Sequence, residues 1–290
     1  RIQGCKMYLF NTLSNKSRTV LLLGASALGS LVLTAPVMAA DFTITSGTIT
    51  NDGNTINGND TVTVTGALVT TGGNKGIDTT GGTNTVSVSE AGSIETAGDF
   101  ALGISNRGNK NQTTVYGSIK TTGDFAFGIK HDGDTSTTTV YGSIETVGQH
   151  ANGIRNRLTN NIETTVSGNI KTTGDDANGI FNNGDDNGTT VSDTGSIKTT
   201  GDDAAGIANK GNNNETTVLG SIETAGGGHA AGILNNGDDN TTTISGTVSA
   251  TGTDANALMN FNGSGNSFTL NEGATIIGDI TARVDGIKNK

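Results

Sequence analysis

The chain has 290 residues, of which 32% are hydrophobic and 4% aromatic, with 45 glycines, one proline and no tryptophan. That composition excludes a wide core filled by large side chains and fits a thin one built from many small apolar residues. The net charge of −10 argues against nucleic acid or anionic lipid as the main partner.

Residues 1–40 read as a secretory signal peptide with an upstream extension. Lys16 and Arg18 precede an apolar run over 20–33, and Val37-Met38-Ala39 or Met38-Ala39-Ala40 offers a small-residue cleavage site. The run approaches the length of a spanning helix, but Pro36 and the small residues after it close the segment as a processing site does. The single cysteine, Cys5, lies before the first methionine, Met7, so an exported chain starting near Ala40 or Asp41 has neither disulfides nor thiol chemistry. Four of the 17 basic residues and none of the 27 acids fall in this segment, which leaves 13 against 27 and a net charge of −14.

Residues 41–91 hold degenerate copies of a repeat, starting at Gly47 and Gly66. Over 92–272 the repeat is regular: Gly-Ser-Ile or its equivalent starts at Gly92, Gly117, Gly142, Gly168, Gly195, Gly220 and Gly246, at spacings of 25 to 27 residues. A further coil starts at Gly273 and occupies 273–290. Each unit has three short extended segments, Ser-Ile-x-Thr, Ala-x-Gly-Ile and Thr-Thr-Val, separated by Gly, Asn and Asp clusters that favour turns. None shows a helical apolar stripe. Three strands per 25-residue unit predict an all-β parallel β-helix, and nine rises of about 4.8 Å between Gly47 and Gly273 predict a rod of about 40 Å.

In such a stack equivalent residues lie above one another, so three apolar columns are expected to fill a triangular core. They run from Ile94 to Val248, from Val115 to Ile244 and from Ile104 to Leu258, with a small-residue column from Ala101 to Ala255 beside them. Outward, Glu95, Lys120, Glu145, Lys171, Lys198 and Glu223 form a file of mostly opposite charges, with Lys171 beside Lys198 as the exception. Asn106, Asn156, Asn182, Asn209, Asn235 and Asn260 form a structural asparagine ladder, interrupted by His131, in which stacked carboxamides bond from coil to coil. Strand alternation turns Thr114 and its equivalents outward and Thr113 and its equivalents inward, which argues against the flat double threonine file of an ice-binding face.

No catalytic, cofactor-binding or metal site is expected. The acid pairs Asp175-Asp176, Asp185-Asp186, Asp202-Asp203 and Asp238-Asp239 recur with the repeat in turns, whereas a glycosidase needs one unique pair in a cleft. Oxygen-rich acidic turns do suit weak binding of calcium. His150 and His229 share a repeat position several coils apart and His131 occupies another, so no metal-ligand spacing links them. Phe100 with Phe125, and Tyr116 with Tyr141, are each one coil apart; these stacked pairs are the candidate surface contacts for sugar or protein.

The signal peptide, the Gly-Ser-Ile-x-Thr and Gly-Ile-x-Asn repeats and the stretch Gly273-Ala274-Thr275-Ile276-Ile277-Gly278-Asp279-Ile280 resemble the passenger region of bacterial autotransporters, over Asp41 to about Ala282. The resemblance implies a right-handed β-helix that acts as a non-enzymatic adhesin or self-association stalk at the surface of a Gram-negative bacterium or outside it. It implies a host surface protein or glycan, or other copies of the chain, as partner. The family also carries a C-terminal translocating β-barrel, expected here on sequence beyond Lys290. A polysaccharide-processing β-helix enzyme and a passive spacer are the alternatives.

Overall fold

The computed structural model of the chain describes residues 41–282 apart from 46, 50–53, 58 and 158–159; the signal-peptide reading of 1–40 and residues 283–290 lie outside the described residues. Among the described residues every regular element is a strand, and the strands form three ten-stranded sheets in which each strand pairs with those three places before and after it in the chain. All pairings are parallel. The molecule is a β-solenoid, each coil contributing one strand to a Thr-Thr-Val sheet, one to a Ser-Ile sheet and one to a Gly-Ile sheet.

The predicted columns are the core. Ile94, Ile119, Ile144 and Ile170 are in register in the Ser-Ile sheet, Val115, Val140 and Val166 in the Thr-Thr-Val sheet, and Ile104, Ile129 and Ile154 in the Gly-Ile sheet. All are essentially inaccessible to solvent and belong to one cluster along the rod. Two residues after each Ser-Ile isoleucine an inward threonine completes the coil: Thr121, Thr146 and Thr172 donate to the carbonyls of Ala126, Ala151 and Ala177 at 2.7, 2.6 and 2.7 Å. These buried hydroxyls are thereby satisfied within their own coil.

The degenerate coils join this stack with two register corrections. Val62 and Val86 sit opposite the Thr113 position, as expected. Gly47, however, pairs with Leu68, two residues along from the Gly66 position, and in the last coil Ala274 rather than Gly273 holds the glycine position, since Thr275 pairs with Thr247. The first shift, of two residues, preserves the strand's inside-outside alternation, so the apolar pattern does not distinguish the two registers, whereas the second, of one residue, brings Ile276 onto the inward Val248 column.

The charge file is in register too. Glu145 is 3.0 Å from Lys171 and 4.0 Å from Lys120, Lys198 is 2.8 Å from Glu223, and Lys171 stands opposite Lys198. The hydrogen bond from Lys171 holds the Glu145 carboxyl below its ordinary range. Exposed pairs of this kind contribute at most about 1 kcal/mol each, so they help select register while the core supplies stability.

Several glycines in each regular coil are fixed by close approach, one of them against the core. A methyl carbon added to Gly153 would lie 2.5 Å from Ile170 Cγ2 and 2.6 Å from the Gly179 carbonyl oxygen. Gly153→Ala is therefore expected to destabilise the rod by about 1 to 3 kcal/mol. Thr165→Ala on the outer Thr-Thr-Val face should stay within about 0.5 kcal/mol. Urea unfolding midpoints of the two variants check the contrast.

Candidate functional site

The acid pairs are occupied by the architecture of the corners. Between the Ser-Ile and Gly-Ile strands, Asp175 accepts the backbone N–H of Asp202, and Asp202 that of Gly227. At the corner after the Gly-Ile strands, Asp134 accepts from Asn160, Asn160 from Asp185, Asp185 from Asn212, Asn212 from Asp238 and Asp238 from Ser264, all at 2.7 to 3.0 Å. The second member of each pair, Asp176, Asp186, Asp203 or Asp239, takes a left-handed backbone with φ of 55 to 57°. Aspartate suits both tasks, because its short carboxylate reaches a neighbouring amide and it tolerates left-handed geometry. Among the described residues no three His, Cys, Asp or Glu side chains converge as a metal site would require.

The asparagine ladder is present over half its predicted length. Asn156, Asn182 and Asn209 each donate to the side-chain oxygen of the next asparagine, at 2.8, 2.8 and 3.0 Å, ending on Asn235. Asn182 and Asn209 also donate to the inward threonines Thr189 and Thr216. Asn106 and Asn260 do not join this chain. Asn106 is bonded instead to Thr79 and Thr113, and the Asn260 side-chain oxygen has no partner among the described residues.

His131 breaks the ladder. Its Nδ1 lies 3.4 Å from the Asn106 amide and its Nε2 2.7 Å from Thr138 Oγ1, so the ring accepts at Nδ1 and donates at Nε2. No donor is left for Asn156 Oδ1, which is buried without a partner among the described residues. Burial pushes the imidazole pKa down to about 4, against a smaller upward pull from Asp132.

A second buried asparagine ladder lies two residues before the Thr-Thr-Val core threonine. Asn187, Asn214, Asn240 and Asn266 accept from the backbone N–H of Ile162, Asn187, Asn214 and Asn240 at 2.8 to 3.0 Å. The repeat consensus leaves this position variable, because Ser136 and Ile162 interrupt it.

The four candidate aromatics bracket one face. Tyr116 and Tyr141 stack at 5.0 Å where the Thr-Thr-Val sheet turns into the Ser-Ile sheet; Phe100 and Phe125 stack at 5.2 Å where the Ser-Ile sheet turns into the Gly-Ile sheet. The Glu95 file runs between them. His150 extends the phenylalanine stack at 4.7 Å from Phe125, with Asp176 3.6 Å beyond it. Phe100, Phe125 and His150 carry φ of 62, 57 and 56°, at the repeat position that Asp176 and Asp203 occupy in later coils. For a bulky residue this backbone is an outlier costing about 1 to 2 kcal/mol. Each stacked pair returns about 0.5 to 1.5 kcal/mol, which offsets the strain without exceeding it. A shallow groove of about 410 Å³ lies beside Tyr116, lined also by Ser87, Ser89, Glu90 and Ala91.

The outer face of the Gly-Ile sheet holds a second hydrophobic cluster, separate from the core: Ala205, Ala208, Ala231 and Met259, packed by Phe181, Leu234 and Phe261. Towards the N-terminal coils this face becomes cationic, with the Arg155 guanidinium 4.8 Å over Phe127 and 5.5 Å over Phe181, and Lys210 5.1 Å over Phe181. These residues fall at the unassigned positions of Ala-x-Gly-Ile-x-Asn-x. Only comparison of those positions from coil to coil brings out Phe127, Arg155, Phe181 and Lys210 as neighbours.

Comparison with protein-family models, with curated proteins and with solved structures yields no match to this chain.

The buried imidazole gives the rod a defined acid sensitivity. His131 is neutral in the fold down to about pH 4, whereas the unfolded chain binds the proton from about pH 6.5. Its contribution to stability is thus complete above pH 6.5 and is lost as pH falls towards 4, by about 3 kcal/mol. His131→Asn, which restores the ladder residue, is expected to shrink the loss of urea midpoint between pH 7.5 and 4.5. An unchanged difference would place the acid sensitivity elsewhere.

Proposed function

We propose that this chain is a non-enzymatic contact rod, the passenger region of an autotransporter exported to the surface of a Gram-negative bacterium or beyond it, acting as an adhesin or self-association stalk. The β-solenoid fold is compatible with such a passenger. The reading rests mainly on Phe100 and Phe125, two exposed phenylalanines held in left-handed turns where later coils use aspartate. Strain kept at exposed aromatic positions points to contact with a partner rather than to stability. Tyr116 and Tyr141 on the opposite corner, half-exposed, extend the same face. Host surface protein or glycan, or further copies of the chain, are the partners such a face suits, many weak contacts adding by multivalency. A polysaccharide-processing enzyme is less well supported, because one carboxylate of each acid pair that it would draw on is engaged with a backbone amide of the neighbouring coil.

The purified chain is expected to bind host cells, extracellular matrix or itself, and the double variant Phe100→Asp, Phe125→Asp to lose that binding while its thermal midpoint holds or rises. A fall in midpoint with binding intact would assign the aromatic stack to structure. Absence of all three kinds of binding in the unaltered chain would overturn the adhesin reading.

A further inference from the structure

The outer Gly-Ile face departs from the acidic character of the rest of the rod. Phe127, Arg155, Phe181 and Lys210 follow one another over four successive coils as an alternation of ring and cation that slants across the face, with only Arg155 and Phe181 in register. The other cations of this face near the N-terminal coils are neutralised: Lys75 and Arg107 both bond Asp78, and Lys130 bonds Asp132. Arg155, Arg157 and Lys210 have no ion-pair partner among the described residues. Arg155 is half-buried and its Nε is without a hydrogen-bond partner. Burial also lowers the pKa of its guanidinium, with Arg157 adding to the effect and Asp132 opposing it. An arginine that is desolvated, stacked between two rings and lacking an acid retains its forked donors for an incoming anion.

Three features select the anion. The strands of this face are paired on both sides through most of the rod, so an extended peptide finds no row of free backbone groups to pair with. The unpaired cations are few and spaced, with Arg155 and Lys210 two coils or about 10 Å apart along the axis, and acids such as Asp176 and Asp185 stand on the flanking turns. That arrangement disfavours a densely charged chain such as nucleic acid and accepts one with widely spaced charges. One coil rise is close to the length of a pyranose unit in an extended glycan. Around Lys210 opens a groove of about 320 Å³ lined by Asn160, Asn183, Asp185 and Asn212, amide and carboxylate groups that suit hydroxyls. Further along, the partly buried Leu234 and Phe261, seated on the buried Ala208 and Met259, offer an apolar floor.

We infer that this face binds a carboxylate-bearing polysaccharide laid along the rod, with Arg155 and Lys210 taking its carboxylates and the partly buried Leu234 and Phe261 taking the apolar faces of its sugar rings. The inference rests on the contact-rod reading but uses a face other than the one bracketed by Phe100, Phe125, Tyr116 and Tyr141.

Calorimetric titration of the full chain with an oligogalacturonate, a sulfated glycan and a neutral galactan tests it. The uronate oligomer is expected to bind, more weakly as salt rises, and the neutral one not to bind. Arg155→Gln should weaken binding by about tenfold or more, the size of one charge-assisted contact. Arg155→Lys should fall between, since it keeps the charge and loses the fork. Lys198→Gln on the Ser-Ile face should leave binding unchanged. If Arg155→Gln does not keep the parent thermal midpoint, the exposed Lys210→Gln decides the matter by the same loss. Failure of the uronate to bind, binding of the sulfated glycan alone, or equal weakening by Lys198→Gln overturns the inference. So does an effect of Arg155→Gln on sedimentation and not on glycan binding, which would assign the face to a second copy of the chain. Cell or matrix binding that depends on Phe100 and Phe125 but not on Arg155 would leave the contact-rod reading standing and remove this one.

Discussion

Every feature of this protein follows from parallel stacking at one coil per strand spacing. Each coil's strand amides and carbonyls are satisfied by the coils above and below, so a coil must rise by one strand spacing over three short strands and three corners. The path within the coil is then nearly fixed. Variation in repeat length has to be absorbed where pairing is weakest, and it is absorbed mainly at corners. Between the Thr-Thr-Val and Ser-Ile strands two residues suffice in most coils, such as Tyr116-Gly117, Tyr141-Gly142 or Leu219-Gly220, whereas Ser89-Glu90-Ala91-Gly92 and Ser192-Asp193-Thr194-Gly195 form small turns closed by Gly92 N–H to Ser89 and Gly195 N–H to Ser192.

Corners also explain the acidic, amide-rich composition. A turn leaves N–H groups that no strand partner takes, and Asp and Asn side chains take them from one coil to the next. The negative charge of the chain is thus in part a by-product of backbone satisfaction. It still has a consequence, since a rod with this field admits anions only where cations without an acid partner are gathered, as along Arg155 and Lys210.

Stability and recognition are separated by the inside-outside alternation of the strands. Inward positions are held nearly constant by packing, because an isoleucine in one coil sits on an isoleucine of the next and the adjacent glycines leave no space for a methyl group. Outward positions are bound only to their neighbours up and down the rod, so stacks of rings and cations can be built there without disturbing the core. Where a stack occupies strained backbone, as at Phe100 and Phe125, packing does not account for it.

The sequence by itself determined the period, the three strands, the inward columns and the charge file, because stacking in register converts a linear repeat directly into columns. It also placed the inward threonines and the interruption at His131. Only the tertiary structure decided the register of Gly47, since a two-residue slip leaves the alternation unchanged. The same holds for the partial extent of the Asn156 to Asn235 ladder, for the second ladder through Asn187 and Asn214, and for the backbone work of the acid pairs, all of which depend on which side chain reaches which amide. The Phe127, Arg155, Phe181 and Lys210 row was hidden for a related reason. Its members lie 26 to 29 residues apart at positions the repeat leaves variable, and only the coil brings them within contact of one another.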